Sequence, residues 1–231
     1  MSSRRLNVVV LGCGKTGAIV AEVVSKHGHN VRTVDVDENA HAGWLTAENL
    51  RDCDVVIDFT TPEAVLENIA ACVRAHKPMV VGTTGWYGEM ERVREMVQQA
   101  GSGFLWGANF SYGVNLFFQI LRAAAPALQH GYSGHITERH HIHKKDAPSG
   151  TAIALQRVLE QAAGMRIEIS SEREGDVMGV HTLELVSAGD RLVLSHDVLS
   201  RQTFAEGAVL GAEWIAGKTG FYDFKDIFSQ I

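Results

Sequence analysis

Leu6-Asn7-Val8-Val9-Val10-Leu11-Gly12-Cys13-Gly14-Lys15-Thr16-Gly17 opens on a continuous apolar run and closes on a GxGxxG loop. Leu6 to Leu11 reads as a strand. Residues 14 to 28 read as a helix, with Ile19, Val20, Val23, Val24 and His27 recurring on one face. GxGxxG alone is a weak signal, because many glycine-rich turns fit it by chance. Between a strand and a helix start it has the context the motif requires. The glycines permit a tight turn, let backbone N–H groups approach a pyrophosphate, and let helix pack near strand. Gly12, Gly14, Lys15, Thr16 and Gly17 are therefore candidate dinucleotide contacts. Val31 to Val36 reads as a second strand with Asp35 at its end, 18 residues after Gly17. An acidic residue there suits a hydrogen bond to an adenosine ribose. Its carboxylate repels a 2′-phosphate and favours NADH; Lys15 attracts that phosphate and leaves NADPH open as a second cofactor.

Downstream the alternation continues. Val55 to Phe59 reads as a strand, followed by a helix from about Pro62, a good first-turn residue. Met79 to Gly82 is a strand, residues 86 to 99 a helix and Phe104 to Trp106 a short strand. Continuous apolar strands separated by helices predict a parallel sheet covered on both faces. Ligands of such sheets bind outside the carboxyl ends of the strands. Asp58-Phe59-Thr60-Thr61-Pro62 and Gly82-Thr83-Thr84-Gly85 are thus placed to face the nicotinamide half of a dinucleotide.

The pattern changes near residue 110. A long apolar helix with Leu116, Phe117, Phe118, Ile120 and Leu121 is predicted from Gly113 to Leu128, as core. Strands are predicted at 133–141, 166–171, 180–188 and 191–199, and helices at 149–163 and 204–216. The strands at 180–188 and 191–199 alternate apolar and polar residues around a hairpin turn, which suits an antiparallel or mixed sheet with one open face. The fold class expected is α/β: a Rossmann-like parallel-sheet domain, 1–109 with 204–231, plus an α+β domain, 110–203, with an open mixed sheet.

Composition narrows the class. The formal net charge is −6 and the pI about 6.0, unlike a basic nucleic-acid footprint. Val8 to Leu11 is too short for a signal-peptide core. Nothing approaches the roughly 18 apolar residues of a membrane span, so a cytoplasmic location is expected. Cys13, Cys53 and Cys72 are odd in number and widely spaced, and read as reduced thiols. Trp44, Trp86, Trp106 and Trp214 are scattered and read as packing residues.

The chemistry concentrates in Glu138-Arg139-His140-His141-Ile142-His143-Lys144-Lys145-Asp146-Ala147-Pro148-Ser149-Gly150-Thr151-Ala152. Histidine exchanges a proton near neutral pH. Lys144 can hold an anion as a point charge. Ser149, Gly150 and Thr151 read as a helix start, whose N–H groups favour a carboxylate or phosphate. His135, His140, His141 and His143 also invite a metal reading, but no cysteine lies near and Lys144 and Lys145 repel a cation; no metal is expected. A Ser-His-Asp hydrolase is unsupported, since Ser149 lies in no GxSxG elbow.

This run resembles the signature of the dihydrodipicolinate reductase (4-hydroxy-tetrahydrodipicolinate reductase) family. Supporting stretches are Val56–Thr60, Gly82–Gly85, Asn109–Asn115, Arg173–Asp176 and Thr203–Ala208. The resemblance covers nearly the whole chain. It implies a homotetramer built through the sheets of the second domain, with the C-terminal helix returning to the first. Closure of the two domains around both ligands is expected to accompany the reaction. It implies NAD(P)H-dependent reduction, in lysine and diaminopimelate biosynthesis, of 4-hydroxy-tetrahydrodipicolinate to tetrahydrodipicolinate with loss of water. By the same resemblance His140 stands at the position of the acid and Lys144 at that of a substrate-binding, proton-assisting lysine. His141, Gly150 and Thr151 fall at substrate-carboxylate positions. Gly12, Gly17 and Asp35 are to hold the cofactor's pyrophosphate and ribose. Phe59, Gly82, Thr83, Thr84, Ala108, Asn109 and Phe110 are to border its nicotinamide side. The chain departs from the family in its short segment 36–53, in Thr16 where methionine is common, and in lacking an arginine after Asp35. Two alternatives share the glycine loop without needing the histidine run: an amino-dicarboxylate dehydrogenase such as an aspartate dehydrogenase, and a non-catalytic dinucleotide sensor.

Overall fold

In the computed structural model, which describes residues 4–231, the chain runs through β1 (Asn7–Leu11), α1 (Lys15–Lys26), β2 (Asn30–Val34), β3 (Val55–Asp58), α2 (Pro62–Arg74), β4 (Met79–Val81), α3 (Met90–Ala100) and β5 (Gly103–Trp106). It continues with α4 (Tyr112–Ala124), β6 (Ser133–His140), α5 (Gly150–Ala163), β7 (Glu168–Arg173), β8 (Val180–Val186) and β9 (Arg191–Asp197), then α6 (Gln202–Ile215), β10 (Gly220–Asp223) and α7 (Phe224–Ile227). Two units result, Met1–Tyr112 with Arg201–Ile231, and Gly113–Ser200. The expected boundaries, 109/110 and 203/204, fall three residues from these. Phe110 belongs to the first unit because its ring packs on Phe59 and Phe224.

The first unit is a six-stranded sheet ordered β10-β5-β4-β3-β1-β2, every pair parallel. The inner strands β1, β3, β4 and β5 are buried on both faces, which explains their largely apolar sequence, whereas edge strand β2 is mostly exposed. Period-two alternation sorts the residues. Val8, Val10, Val55, Ile57, Val80 and Leu105 meet α1 and α6 on one face. Val9, Leu11, Val56, Met79, Val81 and Phe104 meet α2 and α3 on the other. Burying each such side chain contributes about 1.5–3 kcal/mol. Helix α6 approaches closely because it is built from small residues: a Cβ on Gly207 would overlap the Phe110 carbonyl oxygen, and one on Gly211 would lie 2.7 Å from Leu105.

Local differences from the sequence reading have physical causes. Strand β2 stops at Val34, so Asp35 does not end a strand; it starts a turn in which its carboxylate accepts the Glu38 N–H (2.9 Å) and its carbonyl the Asn39 N–H (3.0 Å). The short segment 36–53 is a compact run of turns anchored by buried Leu45 and Leu50. Residues 86–89 are not α-helical: buried Trp86 donates its indole N–H to Thr83 (2.9 Å) and a 3₁₀ turn over Tyr87–Glu89 leads into α3. Trp86 and Trp106, distant in sequence, meet edge to face at 6.2 Å. Helix α4 ends at Ala124, before Pro126, whose missing N–H favours the 3₁₀ turn Ala125–His130. Strand β10 was not anticipated. It is four residues long and amphipathic on neither face, with Phe221 stacked on Phe104 (5.1 Å) and Tyr222 against Trp214 (4.9 Å).

The second unit is a four-stranded mixed sheet ordered β7-β6-β8-β9, with β6–β7 parallel and the other two pairs antiparallel. One face carries α4 and α5 over Ile136, Leu183 and Leu185, closed by Phe117, Leu121, Leu155 and Leu159. On β9, Leu192 and Val193 remain about half exposed. No helix among the described residues is long and apolar enough to cross a membrane. All three cysteines are free thiols.

Candidate active site

Strand register brings Leu11, Asp58, Val81 and Trp106 into one row, so the loops after β1, β3, β4 and β5 leave the same sheet edge. At the first of them Gly12 takes φ +93° and donates its N–H to Val34 (3.0 Å). A Cβ on Gly12 would overlap the Phe59 carbonyl oxygen, and one on Gly17 the Gly12 carbonyl oxygen. A Cβ on Gly14 would meet nothing within 4 Å. Two glycines are thus forced by packing, and the third leaves open space beside the start of α1. No side chain caps α1, and its first N–H groups have no intrahelical acceptors. This cradle fits a pyrophosphate. Lys15, Thr84 and Ala108 are exposed at the same edge, Thr16 is half-buried, and Phe59 covers Gly82 so closely that only glycine fits there. Phe59 and Phe110 are 6.2 Å apart, while Asn109 accepts the Ser111 N–H (2.8 Å).

Beneath these loops lies Asp58, fully buried. Its Oδ1 accepts from the Thr60 N–H (3.0 Å), the Thr60 hydroxyl (2.7 Å) and the Thr83 hydroxyl (2.6 Å); its Oδ2 accepts from Asn68 (2.9 Å). Asn68 in turn accepts from Asn39 (2.8 Å). Burial pushes the Asp58 carboxyl above its ordinary range, against the pull of these donors. The network ties the turn after Asp35 to the loops after β3 and β4. Sequence reading quoted Asp58 only as part of a stretch and gave it no role.

The second unit carries a buried cluster of ionisable side chains. On β6 the helix-covered positions run Ile136, Glu138, His140, and on β8 Leu185, Leu183, His181; toward one end of the sheet the core face changes from aliphatic to ionisable. Glu138 is fully buried. Its Oε2 accepts from His140 Nδ1, and its Oε1 from Arg173 (3.0 Å) and the Ser149 N–H (3.3 Å). Ser149 caps α5 by accepting the Ala152 N–H (3.1 Å) and lies 3.1 Å from His181 Nε2. Arg173 also donates to the Asp146 carbonyl (2.7 Å). Lys144 pairs with Asp146 (2.8 Å) and is largely covered.

Electrostatics follow from these neighbours. Burial pulls Glu138 up, but hydrogen bonds from Ser171, Arg173 and His140 outweigh it and hold the carboxyl below its ordinary range. Burial, with the charges of Lys144 and Arg173, lowers His140 despite the opposing pull of Glu138. Burial and the neighbouring His140 push His181 down to about 4. The Lys144 ion pair lowers Asp146. Of the predicted residues, Lys144 lies close enough to His140 to shift its titration. The ring of half-buried His141 lies 6.3 Å from that of exposed His143, tilted by 43°, and Gly150 and Thr151 lie in the first turn of α5. Glu138, Arg173 and His181 were missed. Glu138 and His140 share a face by strand periodicity, a readable signal. Arg173 and His181 reach them only through the pairings His140↔Arg173 and Glu138↔His181. A second histidine group, His27, His29 and Glu213, lies outside these loops; His29 Nδ1 accepts the Leu6 N–H (3.3 Å).

A parallel sheet with a glycine cradle, joined in one chain to a buried acid-base cluster, defines a nicotinamide-dependent oxidoreductase. Residues 6–110 match the family description "Dihydrodipicolinate reductase, N-terminus" and residues 113–228 "Dihydrodipicolinate reductase, C-terminus". The chain belongs to the dihydrodipicolinate reductase family. It is 37% identical over 240 residues to the 4-hydroxy-tetrahydrodipicolinate reductase of Christiangramia forsetii, covering 98% of this chain and 99% of the relative. Identity to the enzyme of that name from Neisseria meningitidis is 33% over 261 residues, covering 96% and 97%. The fold matches a dipicolinate-bound dihydrodipicolinate reductase from Paenisporosarcina sp. TG-14 with a TM-score of 0.77 at 23% identity, covering 96% of this chain and 99% of that one. An aspartate dehydrogenase from Thermotoga maritima shares the fold more distantly, with a TM-score of 0.53 at 12% identity, covering 94% and 100%.

Proposed function

We propose that this chain reduces 4-hydroxy-tetrahydrodipicolinate to tetrahydrodipicolinate, with loss of water. The observation that carries the reading is His140 buried against Glu138 in the unit that also holds Lys144 and the capped start of α5. Bound NAD(P)H supplies a hydride to the unsaturated ring. The chain's residues do the rest. Lys144 and the N–H groups of Gly150 and Thr151, with His141, grip the two substrate carboxylates. His140, assisted by Lys144, gives up the one proton the reduction consumes. His140 is biased toward the neutral ring without ligand; an approaching dianion raises its proton affinity and loads the acid. Gly12, Gly14, Lys15, Thr16 and Gly17 hold the pyrophosphate, Asp35 the ribose, and Phe59, Gly82, Thr83, Thr84, Ala108, Asn109 and Phe110 the nicotinamide side.

NADH is the favoured cofactor, with NADPH use open through Lys15. Asp35, Asp37 and Glu38 concentrate negative charge in the turn after β2, which disfavours a 2′-phosphate, and Arg32 is paired with Glu38. The first unit is the dinucleotide domain. The second binds substrate and, through its open sheet face, where half-exposed Val193 lies opposite Glu184, builds a homotetramer in the cytoplasm. One assay tests the activity: NADH and NADPH absorbance is followed with freshly made synthase product, then with oxaloacetate plus ammonia. Oxidation with the first supports the proposal. Oxidation with only the second makes the chain an amino-dicarboxylate dehydrogenase, and binding without oxidation makes it a sensor.

A further inference from the structure

Glu138 has no ordinary structural reason to be where it is. It occupies a core-facing position of β6, in line with Ile136, and a carboxylate there costs solvation energy that an aliphatic side chain would not. Its two oxygens divide the work. Oε2 faces His140 Nδ1, and Oε1 faces the Ser149 N–H and Arg173. A carboxylate only accepts, so Nδ1 of the neutral imidazole carries the proton. The lone pair is then on Nε2, which lies where a Cβ on Gly179 would stand 2.9 Å away, so the position is closed to any larger residue. Ser149 is the cap of α5, whose first turn presents Gly150 and Thr151.

We propose that Glu138 is a positioning residue: it fixes His140 in the Nδ1–H tautomer, so that Nε2 is the nitrogen that carries the transferable proton, and it holds that acid in register with the anion-binding start of α5. The proposal rests on the reductase reading above. Glu138 itself touches no substrate, being fully buried with both oxygens engaged. The charged and titratable groups facing His140 are Glu138 on β6, Arg173 on β7, His181 on β8 and Lys144 in the loop after β6. Arg173 and Lys144 disfavour the imidazolium; Glu138 is the one anion among these groups that favours it. Its loss therefore makes the acid harder to load.

Two measurements test this on the full chain. Nitrogen-15 NMR of the ligand-free wild type, with His140 assigned by comparison with His140→Gln, reads the tautomer above the ring's titration. Protonated Nδ1 is expected; protonated Nε2 would overturn the proposal, whatever the enzyme's substrate. In the holoenzyme, Glu138→Gln is expected to lower kcat at about pH 7 by about tenfold or more, to move the descending limb of the kcat–pH profile to lower pH, and to leave the KM for NADH within about twofold. Lost turnover with an unmoved limb marks Glu138 as merely structural and sinks the proposal. A wild type that fails to oxidise NADH or NADPH with synthase product defeats the reductase reading instead, and the tautomer measurement still decides the role of Glu138.

Discussion

Asp58 and Glu138 are both carboxylates with no solvent exposure, one in each unit, and they are held in opposite ways. Asp58 is surrounded by neutral donors from Thr60, Thr83 and Asn68, and burial keeps its carboxyl high. Glu138 is faced by Arg173 and His140, and sits low. The first ties the loops after β3 and β4 to α2; the second belongs to a cluster of ionisable side chains. A buried charge met by dipoles is a brace, whereas one met by ionisable partners is coupled to their titration.

The contrast predicts that the two regions fail differently. The largest effect belongs to His140→Gln, with kcat lower by about 10²-fold, the low end of general acid catalysis, and the affinity for NADH little changed. Near-normal turnover in steady-state kinetics would remove His140 from the acid role. Lys144→Ala comes next: loss of a charge-assisted contact of about 1.5–3 kcal/mol should raise the substrate KM about 10- to 100-fold. An unchanged KM contradicts the anion clamp. Gly17→Ala reverses the pattern. Its Cβ would overlap the Gly12 carbonyl oxygen, and overpacking of about 1–3 kcal/mol should weaken NADH binding, read by nucleotide fluorescence quenching, about fivefold or more.

Acidification separates the two carboxylates directly. Between its ordinary value of 3.8 and its raised folded-state value, Asp58 binds its proton more readily in the folded chain. Stability from that group therefore falls as pH rises, and on acidification the wild type should gain on Asp58→Asn. Glu138 has the opposite sign. Its contribution is fully present above 4.5 and is lost as pH falls through the lowered folded value, so the wild type should lose ground to Glu138→Gln. Melting temperatures of the three proteins across the acid range check both signs; parallel curves would erase the distinction. The smallest effect is at His27, where hydrogen bonds and charge from Glu213 and Glu206 outweigh burial and raise its pKa above 6.5. That contribution is fully present below 6.5 and lost as pH rises through the raised value. The melting advantage of wild type over His27→Gln should shrink as pH rises above 6.5 and through the raised value.

How far the chain could be read in advance follows the same division. The GxGxxG loop, the apolar strands and the Ser-Gly-Thr helix start were visible because each is a local pattern. The partners of His140 were visible only in part: Glu138 lies two residues away on the same strand face. Arg173 and His181 are 33 and 41 residues from His140 in the chain. Asp58 could be read as a strand-end acid, but its four donors come from a loop, a second strand end and a helix. Strand β10 escaped because four residues, the first of them glycine, carry too little periodicity.

By itself the sequence determined two folding units, a glycine turn at a helix start and a histidine-rich run before a capped helix, since strand, helix and glycine-turn preferences act over a few neighbouring residues. Tertiary structure decided which nitrogen of His140 is free and which buried charges are paired with cations. Those are properties of sheet register, in which a shift of one residue would turn every one of these side chains to the other face.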